Sequence, residues 1–298
     1  MRWGLHIAAA FALGAGLIVW AGCTHPAPTI AFLTDFGESD FYVGAVKGVT
    51  RSIAPHVTID DLAHQLEPYD VRAAAWHLYL AAQDYPSGTV FLAVVDPGVG
   101  TERRPIALRT DDGRLFVGPD NGLFSFVARH LGPVEVRHIT NRDLFRPGTI
   151  SHSFHGRDIF GPTAAHLAAG TTFEAVGPLI EDYVLLPVRL ARSDGDEVRG
   201  EVISADRYGN LHTNIPGEML LALGVKRGGL LHVTVGEVTQ RARLVNTYGD
   251  VAEGEPLVLI ASTDHLEIAV NMGDAKALFQ IGPGAPVIIS PQERRATP

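Results

Sequence analysis

Apolar residues fall in two textures along this chain. Up to about Arg189, short continuous apolar runs alternate with segments whose apolar positions recur at helical spacing. Thr29–Leu33, Val57–Leu62 and Thr89–Val95 predict buried strands, and Phe41–Ile53 and Asp70–Ala82 predict the helices between them. Asp40 stands where an N-cap of the first helix would, and Pro68 suits the entry to the second. This order predicts a mostly parallel sheet with helices on its faces. Ligands then bind beyond the carboxyl ends of the strands, where Asp35 and Asp96 lie. Pro105–Leu115 has the pattern of a hairpin around Asp111-Asp112-Gly113, and Gly122–Leu131 and Asp158–Ala169 those of helices. The second texture begins after Ser193-Asp194-Gly195-Asp196, which reads as a linker. Alternating stretches at Gly200–Ala205, Leu230–Val235, Arg241–Val245, Leu257–Ile260, Leu266–Val270 and Val287–Ser290, with one short helix at Gly217–Leu223, predict a small β-barrel. The expected organisation is an α/β domain over 29–190 and a smaller all-β barrel over 197–291.

The first residues break this pattern. Met1-Arg2 is followed by an uncharged apolar run, Ile7–Trp20, and then by Ala21-Gly22 ahead of Cys23. That is signal-peptide architecture, too short for a comfortable membrane span. Cys23 resembles the lipid-modified cysteine of a bacterial lipoprotein, with 1–22 as the leader and 23–28 as a tether; Trp20 departs from the usual pattern. The expected location is the bacterial cell envelope, with membrane contact through the lipid anchor only. The alternatives are an uncleaved anchor, or a start codon assigned upstream of a cytoplasmic protein. Cys23 is the only cysteine in the 298 residues, so an intramolecular disulfide is impossible. A formal charge of −9 argues against a nucleic-acid partner.

Chemistry concentrates in a few loops. Asp96-Pro97-Gly98-Val99-Gly100-Thr101-Glu102-Arg103-Arg104 follows the third strand and turns Arg103 back toward Asp96. It lacks the Gly-Lys-Ser/Thr ending of a phosphate loop. His155, in Ser153-Phe154-His155-Gly156-Arg157-Asp158, stands at a helix entrance. Acid, guanidinium and imidazole together can orient and polarise a water, although an Asp96–Arg103 pair can also be purely structural. Asp35 suits paired contacts to ribose hydroxyls. In the second domain, Asp206-Arg207-Tyr208-Gly209-Asn210 offers an acid, an aromatic face and an amide. Turn chemistry accounts for Gly209 and Asn210 equally well. Tyr248 adds a second ring, and Ser262 ends an apolar strand. The loop carboxylates have neither a His-x-His nor a cysteine cluster beside them, so no metal is expected.

Six motifs in order carry a resemblance: Thr34–Gly37, Asp96–Arg104, Pro119–Gly122, Phe154–Asp158, Asp206–Asn214 and Leu266–Asn271. The chain resembles the S-adenosylmethionine hydroxide adenosyltransferases, relatives of the fluorinating and chlorinating enzymes. The resemblance implies a homotrimer with active sites at subunit interfaces, and a cofactor-free reaction in which hydroxide attacks ribose C5′ of S-adenosylmethionine. The products would be adenosine and L-methionine. It implies that Asp96, Arg103 and His155 activate water, and that Asp35 holds the ribose against Tyr69 and Phe154. Tyr208 and Tyr248 would enclose the adenine, with Asn210 and the backbone of Val270 and Met272 at its edge. Asp40 and Asp206 would meet the methionine ammonium, and Ser262 and Thr263 its carboxylate. The halogenating relatives have an aromatic in place of Asp96, a serine in place of Gly156 and an extra loop absent between Arg104 and Pro119, which disfavours halogenation. Asp264 replaces a frequent glycine. A tethered adenosine-binding protein without turnover remains the alternative from another class.

Overall fold

The computed structural model describes residues 28–292. The leader and Cys23 lie outside the described residues, as does the tether apart from Pro28.

Six strands form the N-terminal sheet: β1 (Thr29–Thr34), β2 (Thr58–Ala63), β3 (Val90–Val94), β4 (Pro105–Thr110), β5 (Leu115–Pro119) and β6 (Val134–His138). Their order is β2-β1-β3-β5-β4-β6. β1 runs parallel to β2 and β3, and β3 runs parallel to β5; β4 alone runs opposite to the other five strands, antiparallel to both β5 and β6. The mostly parallel sheet and the β4–β5 hairpin are as expected. β6 was not anticipated.

Continuous apolar runs follow from burial of both faces. Ile30 and Phe32 of β1, with Val90 and Leu92 of β3, pack in one cluster with Val46 of α1 (Tyr42–Ile53) and Ala164 of α4 (Gly161–Ala168). Ala31, Leu33, Phe91 and Ala93 point the other way, toward Ala74 and Leu78 of α2 (Val71–Asp84) and Phe126 of α3 (Ser125–His130). Fully burying one such Phe or Leu contributes about 1.5–3 kcal/mol. Asp70 caps α2 by accepting from the Ala73 amide at 2.9 Å. Asp40 does not cap α1: the helix starts after Phe41, with no side-chain cap. α3 is shorter than expected, because Gly122 to Phe124 form the turn that leads into it.

In the C-terminal part the strands are β7 (Arg192–Asp194), β8 (Glu197–Ala205), β9 (Leu211–Pro216), β10 (Leu230–Val235), β11 (Val238–Val245), β12 (Pro256–Ile260), β13 (His265–Val270) and β14 (Pro286–Pro291). β14 pairs with both β10 and β8, which closes β14-β10-β11-β12-β13-β9-β8 into the expected barrel and leaves β7 outside it. Leu231, Val233, Val235, Leu266 and Ile268 fill the interior. The expected linker at Ser193–Asp196 is instead the turn of a β7–β8 hairpin, in which Asp194 pairs with Glu197. Its polar residues and Gly195, at φ +64°, serve a tight turn. Two short helices, α5 (Gly217–Ala222) and α6 (Ala275–Phe279), complete the barrel where one was expected. The two parts meet along α2, whose Trp76 shares a cluster with Ile203 of β8 and whose Arg72 is ion-paired with buried Glu201.

Candidate active site

β1 and β3 end side by side, so the loops after them share one cleft of about 600 Å³. Asp35, Tyr69, Asp96, Phe154 and His155 line it, together with Phe36, Phe41 and Tyr42.

The loop after β3 does what its spacing suggested. Val99 donates to the Asp96 carbonyl and Thr101 to that of Gly98, and the resulting turn returns Arg103 to Asp96. Arg103 Nε donates to Asp96 Oδ1 at 3.1 Å, and Nη2 donates to Oδ2. The same Nη2 lies 3.1 Å from His155 Nδ1. A guanidinium has no acceptor, so Nδ1 of His155 must receive this bond and the neutral ring carries its proton on Nε2. Arg103 Nη1 is buried without a partner. The Asp96 and Arg103 side chains are only 5% and 7% exposed. Burial pushes the Asp96 carboxyl above the usual carboxylate range, against the opposing pull of Arg103 and His155. Burial, aided by the Arg103 charge, holds His155 below its ordinary value. An acid moved up and an imidazole moved down bring two proton acceptors closer in strength beside one unspent donor, a suitable seat for an ionising water.

His155 reaches this point on a braced loop. Asp158, fully buried, accepts from the Ser151 amide at 2.8 Å and from Arg157 Nε at 2.7 Å. A π-helical turn, Gly156–Phe160, leads into α4 where an ordinary helix start was expected. Gly100, at φ +78°, brings the Asp96 loop against this segment, and a Cβ there would lie 2.2 Å from the His152 carbonyl oxygen. Gly100→Ala is therefore expected to cost roughly 1–3 kcal/mol. The readout is the urea midpoint, and an unchanged midpoint would mean that the loops do not bear on each other.

Asp35 Oδ2 accepts from the Tyr69 amide at 2.9 Å, which pins Tyr69 at φ +69°. Behind Asp35, Thr34 Oγ1 lies 2.8 Å from His64 Nδ1, and His64 Nε2 lies 3.0 Å from Asp61 Oδ1. This Asp-His-Thr order looks nucleophilic, but Thr34 is wholly buried and its Oγ1 also accepts from the Phe36 amide. It braces the loop of Asp35. Sequence reasoning passed over His64, whose only signal was its place at the end of β2.

A second cleft of about 590 Å³ lies on the barrel, lined by Asp206, Tyr208, Asn210, Tyr248, Val270 and Met272. It shares no lining residue with the first. Asp206 Oδ1 accepts from the Tyr208 and Asn210 amides, both at 2.9 Å, and its Oδ2 accepts from Asn210 Nδ2 at 3.0 Å. Its carboxylate therefore shapes this loop first. Tyr248 Oη donates to Glu267 at 2.6 Å, and burial followed by Glu267 raises its phenol. Ser262 and Thr263 line a separate hollow with Trp76, His212 and His265. Asp40 is exposed and lines neither cleft. Asp264 takes φ +60°, the left-handed turn that asparagine and aspartate tolerate best after glycine. Among the described residues, no group of three or more His, Cys, Asp or Glu side chains is placed to hold a metal ion.

The chain matches the family profile of the SAM hydroxide adenosyltransferase N-terminal domain over residues 30–177 and that of the C-terminal domain over 200–288. A Salinispora tropica protein named (R)-S-adenosyl-L-methionine hydrolase is 42% identical over 266 residues, which cover 87% of this chain and 96% of that one. A protein of Actinopolyspora mzabensis named fluorinase is 28% identical over 291 residues, covering 88% of this chain and 97% of its own. The crystal structure of an uncharacterized conserved protein from Thermotoga maritima superposes with a TM-score of 0.84 at 43% identity, covering 88% of this chain and 99% of that one.

Proposed function

The chain belongs to the S-adenosylmethionine hydroxide adenosyltransferase family, and from that premise we infer its reaction: it is an enzyme that hydrolyses (R)-S-adenosyl-L-methionine to adenosine and L-methionine. The observation that carries the mechanism is the closed Asp96–Arg103–His155 group at the strand ends. Water oxygen attacks C5′ while the C5′–sulfur bond breaks, and sulfur leaves as the neutral thioether of methionine. One water proton must go elsewhere. His155 Nδ1 is held by Arg103, so Asp96 is the acceptor, while Arg103 Nη1 donates to the forming hydroxide. Alignment of water, C5′ and sulfur supplies the rest of the acceleration.

Asp35 holds the ribose hydroxyls, with Tyr69 and Phe154 as walls. Tyr208 and Tyr248 enclose the adenine, and the free Oδ1 of Asn210 with the backbone of Val270 and Met272 reads its edge. Asp206 uses the remaining capacity of Oδ2 for the methionine ammonium, joined by Asp40; Ser262 and Thr263 take the carboxylate. Because the clefts are separate and both expose large apolar side chains, including Phe41, Tyr69, Tyr208 and Met272, each is completed by a neighbouring copy in a homotrimer. At Gly156 a Cβ would come 3.2 Å from Phe36, which leaves little room for the serine of halogenating relatives.

Incubating the purified protein with substrate and separating the products tests the reaction; absence of adenosine and methionine would refute it. The pH profile follows from the two shifted groups. Protonating Asp96 removes the acceptor, and protonating His155 breaks its bond from Arg103. Both losses occur as pH falls: burial starts the loss at Asp96 above the ordinary carboxylate range, and burial with the Arg103 charge moves the loss at His155 below the ordinary imidazole value. The expected kcat/KM falls on the acid side and not on the alkaline side; a profile that instead rises as pH falls would contradict the assignment.

We propose that the mature protein is tethered in the bacterial envelope through a lipid on Cys23 and faces an extracytoplasmic adenosyl sulfonium, a reading supported by the signal-like pattern of Met1 to Cys23. Mass spectrometry of the mature N-terminus is expected to find a lipid-bearing Cys23. An unmodified peptide spanning it would remove the lipoprotein reading.

A further inference from the structure

We infer that Glu267 and His212 are positioning residues that fix the spacing of the two tyrosines in the second cleft. This rests on the reading of that cleft as the adenine site. Besides Asp96 of the first cleft, which is paired with Arg103, four acidic residues are buried among the described residues: Asp120, Asp158, Glu201 and Glu267. The first three are each ion-paired with an arginine, namely Arg104, Arg157 and Arg72. Glu267, on β13, is paired instead with a phenol and an imidazole. Its Oε1 accepts from Tyr248 Oη at 2.6 Å, and its Oε2 lies 3.7 Å from His212 Nε2. A buried carboxylate is costly unless its partners compensate it, so its unusual partners call for a reason.

The surrounding contacts supply one. His212 Nε2 is also 4.0 Å from Asp206 Oδ2, and its Nδ1 lies 3.4 Å from Ser204 Oγ. Asp206 in turn fixes the backbone of Tyr208 and both the amide and the side chain of Asn210. One imidazole therefore faces two carboxylates, each of which holds one aromatic wall. Tyr208 is tied through Asp206, Tyr248 is tied through Glu267, and His212 between them sets the separation. Tyr208 and Tyr248 are themselves exposed, 69% and 41%. The Arg207 guanidinium lies 5.6 Å over the Tyr208 ring, and the spacing of the pair comes from the carboxylates behind them. A planar base entering a preset gap avoids the ordering cost that two mobile rings would impose.

The test uses protein labelled with 3-fluorotyrosine, with the Tyr248 resonance assigned by Tyr248→Phe. In Glu267→Gln, which keeps an acceptor but not its charge, and in His212→Gln, that resonance should shift and narrow as the ring gains freedom. KM for substrate and the inhibition constant of adenosine should each rise roughly tenfold with kcat within about twofold, because the lost interaction is one of binding, remote from Asp96. Adding Tyr248→Phe to Glu267→Gln should produce less than the sum of the two single losses. A Tyr248 resonance unmoved in both variants would overturn the proposal, and so would losses that simply add or a fall confined to kcat. If the wild type forms no adenosine, the reading of the reaction fails, while the fluorine spectra still decide the clamp.

Discussion

Asp96→Ala is expected to lower kcat for adenosine release by roughly 10²–10⁴-fold, the usual worth of a positioned proton acceptor. The loss has two sources. The variant removes the one carboxylate ion-paired with Arg103 among the described residues, and it leaves a guanidinium whose side chain is 7% exposed without that anion. That uncompensated cation would face a sulfonium substrate, so KM should rise as well. Asp96→Asn separates the two effects. It restores an acceptor for Arg103 Nε but neither the negative charge nor the basicity, so kcat should remain as low as in the alanine variant while stability recovers in part. The measurement is the rate of adenosine formation at saturating substrate, by chromatography. Full activity in either variant would remove Asp96 from the mechanism and leave its pairing with Arg103 as architecture alone.

Why that pair was legible in the sequence, and others were not, is a matter of distance along the chain. Asp96 and Arg103 are seven residues apart across a turn with two glycines, and local geometry closes such a loop. The strands were legible for a similar reason, since burial of both sheet faces leaves unbroken apolar runs. His155 lies 52 residues from Arg103; its place at a helix entrance marked it as a candidate, but its contact with Arg103 depends on how α4 packs on the sheet. His64 and Thr34 are 30 residues apart, and Glu267 and Tyr248 are 19 apart, each on separate elements. Such pairs are fixed by strand register, which no local pattern reveals. The misreadings share a cause. Asp40 and Ser193–Asp196 have cap-like and linker-like composition, yet capping and turn formation draw on the same short polar side chains. Phe41 and Tyr42 went unnoticed because they satisfy a helical apolar pattern, although their exposure puts them at the cleft instead of in the core.

The proposed sharing of each site between subunits predicts recovery of activity from two inactive proteins. One variant, Asp96→Asn, carries a dead first cleft. The other, Tyr208→Ala with Tyr248→Ala, carries a dead second cleft; losing a stacking ring costs about 1–3 kcal/mol each, so activity at low substrate should fall at least tenfold. In a cyclic trimer each site takes its first cleft from one subunit and its second from the next. After dissociation and reassembly at equal amounts, a site is intact when the first cleft comes from the tyrosine variant and the second from the Asp96 variant. Each choice has a chance of one half, so about a quarter of the sites, and about a quarter of wild-type activity, should return. Neither parent can contribute this, since each carries its lesion in every copy. If one chain supplied both clefts of its own site, mixing would restore nothing, whatever the oligomeric state. Recovery near a quarter would therefore establish which surfaces meet, and a mixture as inactive as its parents would end the shared-site proposal while leaving the roles of Asp96, Arg103 and His155 intact.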